Sequence, residues 1–146
     1  MAAALQISYH SRDPEIMSWD ILIQQFPDDA RRVAEIPDTF TAPPIGKRAD
    51  VVSKLLAALP QASFSDPHWL KLHGDGYSLE CAIADDDVLY GLTLHVRGSD
   101  GVLPYVEAVL NALRLRAIDS WTGEFFDPQV APHSLARWRS YIEDEG

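Results

Sequence analysis

One cysteine, Cys81, in 146 residues excludes an internal disulfide framework, so stability must come from core packing. It stands in an alternating apolar stretch, where a buried and inert thiol is the expected state. No apolar run approaches the roughly 18 residues that a membrane-spanning helix requires. The opening Met1-Ala2-Ala3-Ala4-Leu5-Gln6-Ile7 lacks a basic region, a long apolar stretch and a cleavage site, so a cytoplasmic protein is expected. Positive charge is scarce: twelve Lys and Arg face twenty-two Asp and Glu, a net charge of −10. Such a chain repels nucleic-acid phosphates and anionic lipid headgroups alike, so neither nucleic acid nor membrane is an expected partner. The acids are spread evenly: seven to three bases in residues 1–46, seven to five in 47–97, eight to four in 98–146. The whole surface, rather than one tail, should therefore be negative.

What is present is enough for one ordinary domain spanning residues 1–146, with 47% apolar residues to build a core. The clearest pattern runs from Tyr77 to Arg97. Tyr77, Leu79, Cys81 and Ile83 alternate with Ser78, Glu80, Ala82 and Ala84. Tyr90, Leu92, Leu94 and Val96 then alternate with Gly91, Thr93, His95 and Arg97. Period-two alternation predicts a β-hairpin whose strands meet at Asp85-Asp86-Asp87, with one face apolar and the other free.

Around the hairpin, Leu5 to Tyr9 reads as a short strand, and 14–36 as one or two short helices. Residues 37–46, with three prolines and a glycine, should be irregular. Val51, Val52, Leu55, Leu56 and Leu59 predict a helix capped by Asp50 and ended by Pro60. Residues 61–76 read as a loop with at most one edge strand. Leu103, Val106, Val109, Leu110 and Leu113 mark a second helix, and Pro132 opens a third bearing Leu135, Trp138 and Ile142. Between these helices, Thr122-Gly123, flanked by residues 117–121 and 124–126, reads as a tight turn or a bulge. The expected class is α+β: an antiparallel sheet around the 77–97 hairpin, helices on one face, in an order resembling a split β-α-β arrangement.

Three groups of residues are candidates for function. An even-length hairpin loop places Glu80 opposite Thr93 or His95, and Ser78 opposite His95 or Arg97. Glu80, His95 and Arg97 then form either a small acid/base or ligand site or a cross-strand ion pair. Asp85, Asp86 and Asp87 suggest a divalent cation, but their spacing matches no EF-hand loop, and a solvated tip is the simpler reading. The five histidines lack zinc-ligand spacing. No metal and no cofactor is expected. The third group is Trp121 and its acidic neighbours Asp119, Glu124 and Asp127, a combination suited to an interface anchor with a charged rim. A nucleophile motif and a glycine-rich phosphate loop are both missing, so the chain is read as a non-enzyme.

Tyr77-Ser78-Leu79-Glu80, Leu94-His95-Val96-Arg97-Gly98 and Asp119-Ser120-Trp121-Thr122-Gly123-Glu124-Phe125 together resemble small uncharacterised proteobacterial proteins. In that group an LHVRG strand precedes a helix and a D-x-x-TGEF segment, and some members are similar in general look to immunity proteins of bacterial toxin systems. The resemblance covers residues 77–127 and brings no catalytic motif. It implies an acidic immunity or inhibitor protein that blocks a basic toxin domain, and no functional residue carries over from it. The charge and aromatic chemistry of the chain itself nominates Glu80, Asp85, Asp86, Asp87, His95, Arg97, Asp119, Trp121, Glu124 and Asp127 as the partner surface. The alternative is a small-molecule-binding domain or enzyme using Glu80, His95 and Arg97.

Overall fold

Alternation over Leu92–Gly98 and Tyr77–Ala82 produces two long neighbouring strands, and the rest of the molecule assembles around them. The computed structural model describes residues 17–145; the strand expected at Leu5 to Tyr9 lies outside them. The elements are β1 (Trp19–Gln24), β2 (Gly46–Lys47), α1 (Arg48–Ala58), β3 (Ser63–Asp66), β4 (Trp69–Gly74), β5 (Tyr77–Ala82), β6 (Val88–Leu89), β7 (Leu92–Gly98), α2 (Leu103–Leu113), β8 (Arg116–Asp119), β9 (Glu124–Phe125) and α3 (Ala131–Glu145). A seven-stranded sheet has the order β3-β4-β5-β7-β1-β8-β9, and every neighbouring pair is antiparallel. The protein is α+β. Because β7 and β8 both run antiparallel to β1, the β7–α2–β8 connection crosses over β1, which is a split β-α-β unit.

All three helices contribute to one core on one face of the sheet. Val51, Leu55 and Leu59 come from α1 and its C-cap, Val106 and Val109 from α2, and Leu135, Trp138 and Ile142 from α3. They pack with Trp19, Ile21, Ile23, Leu79, Cys81, Leu94 and Val96 of the sheet. The helix over Leu103–Leu113 begins with Pro104 in its first turn, where the missing N–H is harmless. A smaller apolar cluster covers part of the opposite face, where Phe26, Ala30 and Ile36 pack with Ile118, Leu22 and Phe125.

Three expectations need correction. The described part of the 14–36 stretch, residues 17–36, forms no α-helix: Trp19–Gln24 is a central strand, Pro27 to Ala30 turns, and Val33–Glu35 is a single 3₁₀ turn. Trp19, Ile21 and Ile23 face the helices and Asp20 and Gln24 the other side, but Leu22, toward Ile118, interrupts the alternation and leaves Ile21-Leu22-Ile23 as a continuous apolar run. Residues 61–76 hold two strands, β3 and β4, rather than one at most. The hairpin strands also do not meet directly at the acidic triplet. The chain leaves the sheet after Ala82, and Val88–Leu89 pairs with Gly46–Lys47 in a separate two-stranded sheet. Tyr90, expected on the apolar face, is 59% exposed. Return to the sheet passes through Gly91, where a Cβ would lie 2.8 Å from the Ile23 carbonyl oxygen.

Cys81 is fully buried opposite Leu94, and loss of solvation pushes its thiol up to about 12. Since the thiolate is the reactive form, native protein should resist a disulfide reagent at mildly alkaline pH. Thiol titration in buffer and in denaturant checks this: one thiol should react only after unfolding.

Candidate interaction site

The sheet face away from the helices carries the first polar group. Register places Glu80 across from His95 and Ser78 across from Arg97, the even-loop pairing expected from the two apolar sets. Arg97 donates through Nη1 to Glu80 Oε1 at 2.8 Å and through Nε to the Met17 carbonyl at 3.1 Å. The sequence reading did not include Asp20, a buried carboxylate on β1 opposite His95. His95 Nδ1 lies 2.9 Å from Asp20 Oδ1, and Ser18 donates to the same oxygen. Trp69 packs against His95, with ring centroids 6.0 Å apart and planes tilted by 46°.

This geometry orders a histidine without building a nucleophile. A carboxylate on Nδ1 favours the tautomer whose Nε2 carries the lone pair. In a serine triad the attacking hydroxyl sits at that second nitrogen. Here Ser18 Oγ lies on the first, 3.3 Å from Nδ1, and shares Asp20 with it. Glu80, His95 and Arg97 are each half-buried and serve as cross-strand ties.

The acidic triplet forms an exposed loop pinned at several points. Asp85 Oδ1 is 2.7 Å from His68 Nε2. Arg48 Nε donates to the Ala84 carbonyl at 2.8 Å, its second terminal nitrogen to the Pro67 carbonyl, and its backbone N–H to the Asp87 carbonyl at 2.8 Å. Among the described residues no group of three or more His, Cys, Asp or Glu converges as metal ligands.

The third group does converge. Where β8 turns through Thr122-Gly123 into β9, Gly123 has φ 76° and its N–H returns to the Asp119 carbonyl at 2.8 Å. Beyond β9, Asp127 Oδ1 accepts the Gln129 N–H at 2.9 Å, and its carbonyl accepts the N–H groups of Val130 and Ala131, starting α3. Turn and helix start enclose a hollow of about 340 Å³. Its acids are Asp119, Glu124 and Asp127, its apolar wall is Phe125, Val130 and Ala131, and Thr122 and Ser134 add hydroxyls. Among the described residues no basic side chain lines it. Nearby, Trp121 is 38% exposed and packs on Tyr141 with ring centroids 5.0 Å apart. Val130 is 49% exposed.

Asp119 differs from the rim charge expected of it. It is 3% exposed, because its position opposite Ile21 points it to the helix side of the sheet. Oδ1 accepts Trp19 Nε1–H at 2.7 Å, the Trp121 N–H at 2.9 Å and the Thr122 N–H at 3.4 Å, and Ser134 adds a further bond. Desolvation raises its pKa from the usual aspartate value, and these bonds offset part of that rise. Asp119 is thus the floor of the hollow, with Glu124 and Asp127 above it. Glu124 also accepts the Val33 N–H at 3.2 Å and lies 3.6 Å from Arg32. Val130 and Ala131 stand before Pro132 and Ser134 lies outside the Leu135-Trp138-Ile142 stripe, so the sequence pattern gives none of them a place in the site.

No protein-family model matches the chain, and neither a curated protein nor a solved structure does.

Proposed function

We propose that this protein is an acidic interaction protein of the immunity type, which binds a basic partner such as a toxin domain and blocks it. The observation that supports this reading most directly is the hollow beside α3, with three carboxylates, an apolar wall and an exposed tryptophan nearby. Interface hot spots combine an aromatic or aliphatic anchor with a charged rim. The net charge of −10 adds long-range attraction for a basic surface. Among the described residues no helix is long and apolar enough to cross a membrane, which agrees with a partner met in water.

The competing reading, a ligand or acid/base site at Glu80, His95 and Arg97, is favoured by the Asp20–His95 contact. It is weakened by the position of Ser18, on the nitrogen that already faces Asp20.

The test is capture from host lysate on the immobilised full chain, followed by assay of whatever is retained. One basic, stoichiometric protein is expected, whose toxicity or enzymatic activity is suppressed by the added chain. Its association rate should fall by roughly tenfold or more between low and high salt. Retention of no basic protein, or of one whose activity is unchanged, would end the inhibitor reading.

A further inference from the structure

We propose that the hollow between the β8–β9 turn and the start of α3 receives the side chain of a basic residue of the partner. The aliphatic stem lies against Val130 and Ala131, and the cation sits among Asp119, Glu124 and Asp127. This rests on the interaction reading above and adds the chemistry of the contact. Size permits it: about 340 Å³ corresponds to roughly ten liquid waters, ample for a lysine or arginine side chain. Charge favours it, since three carboxylates line the space and, among the described residues, no base does. The start of α3 opposes a cation with about half a positive charge, which three carboxylates outweigh.

The rim also shows that it accepts a guanidinium. Arg32 lies 3.6 Å from Glu124 as an exposed pair, of the kind whose attraction is weak enough to be exchanged. Asp119 contributes from the floor, where low solvent access strengthens its attraction for a cation. A neutral polar side chain of similar length would gain none of this attraction. The hollow therefore selects for charge as well as for shape.

Titration of the isotope-labelled full chain with N-acetyl-arginine methylamide, followed by amide NMR, tests the inference. The neutral isostere N-acetyl-citrulline methylamide is the control, and the blocked lysine compares the two cations. Saturable shifts are expected at Thr122, Glu124, Val130 and Ala131, with citrulline at least about tenfold weaker. The double variant E124Q/D127N should lose the shifts while its sheet amides stay in place. Equal binding of citrulline, no saturable shift up to roughly 20 mM, or shifts centred on Asp85 to Asp87 would overturn the inference.

Failure here and failure of the inhibitor reading separate cleanly. If the double variant holds a captured basic partner as tightly as the wild type, the hollow is wrong and the interaction stands. If arginine occupies the hollow and no basic partner is captured, the inhibitor reading falls while the hollow remains a cation-stem site.

Discussion

Asp119→Ala is expected to lower the unfolding free energy by about 2–3 kcal/mol, and Asp119→Asn by less than about 1 kcal/mol. Alanine leaves the Trp19 indole N–H, the N–H groups of Trp121 and Thr122, and the Ser134 hydroxyl without their shared acceptor. Among the described residues every buried side-chain polar atom has a hydrogen-bond partner, so the loss falls on a satisfied network. Asparagine keeps an acceptor oxygen facing Trp19, and Ser134 can receive its new N–H. Denaturant titration of both variants gives the comparison. Equal losses would mean that charge, rather than acceptor geometry, holds the turn.

The same residue gives the pair a pH signature. Burial raises the pKa of Asp119 above its ordinary 3.8, so over that interval the folded chain holds a proton that the unfolded chain has released. Its contribution is complete below 3.8 and is lost as pH rises through the elevated folded value. Wild-type stability should therefore gain on that of Asp119→Asn as pH is lowered from neutral toward 3.8. Taking the difference between variants removes the acid sensitivity common to both. A difference independent of pH would mean that the carboxylate is as well solvated in the fold as outside it.

Where one face of an element meets solvent, its structure was readable in the sequence. Strands β5 and β7 alternate because their second face carries Ser78, Glu80, His95 and Arg97, and even the Glu80–His95 pairing follows from which side chains must share the core. The stripes Leu103-Val106-Val109 and Leu135-Trp138-Ile142 likewise mark helices with one wet side. Pattern fails for β1, where Leu22 breaks the alternation of Trp19, Ile21 and Ile23 with Asp20 and Gln24, so that Trp19 to Phe26 reads as a generic apolar cluster. It fails again for β3, an edge strand with only Phe64 partly buried. The site divides along the same line. Trp121, Glu124 and Asp127 were recognisable as aromatic and acidic neighbours. That Asp119 turns inward depends on its pairing with Ile21, ninety-eight positions earlier, which local pattern does not carry. Asp20 was missed for the same reason, since its partner His95 lies across a strand pair that the sequence did not announce.

Leu94 and Tyr90 put that distinction to a measurement, since both belong to one alternating series in the sequence. Leu94→Ala should lower stability by about 3–5 kcal/mol, and Tyr90→Ala by no more than about 0.5 kcal/mol. Leu94 has no exposed surface and sits at the middle of β7, flanked by Ile21 on β1 and Cys81 on β5. Truncation there leaves a cavity that the two flanking strands resist closing, because their backbones are held by hydrogen bonds on both sides of β7. Tyr90 follows the β6 pairing and precedes the Gly91 approach to Ile23, so the chain has turned its side chain outward before β7 begins. Thermal or chemical unfolding of the two variants, with circular dichroism to confirm the fold of each, decides between the two placements. A large loss at Tyr90 would return it to the apolar face and extend β7 back to the acidic loop. A small one leaves Val88 to Gly91 as a separate strap, which ties the acidic loop to β2 and the start of α1 and keeps it clear of the sheet.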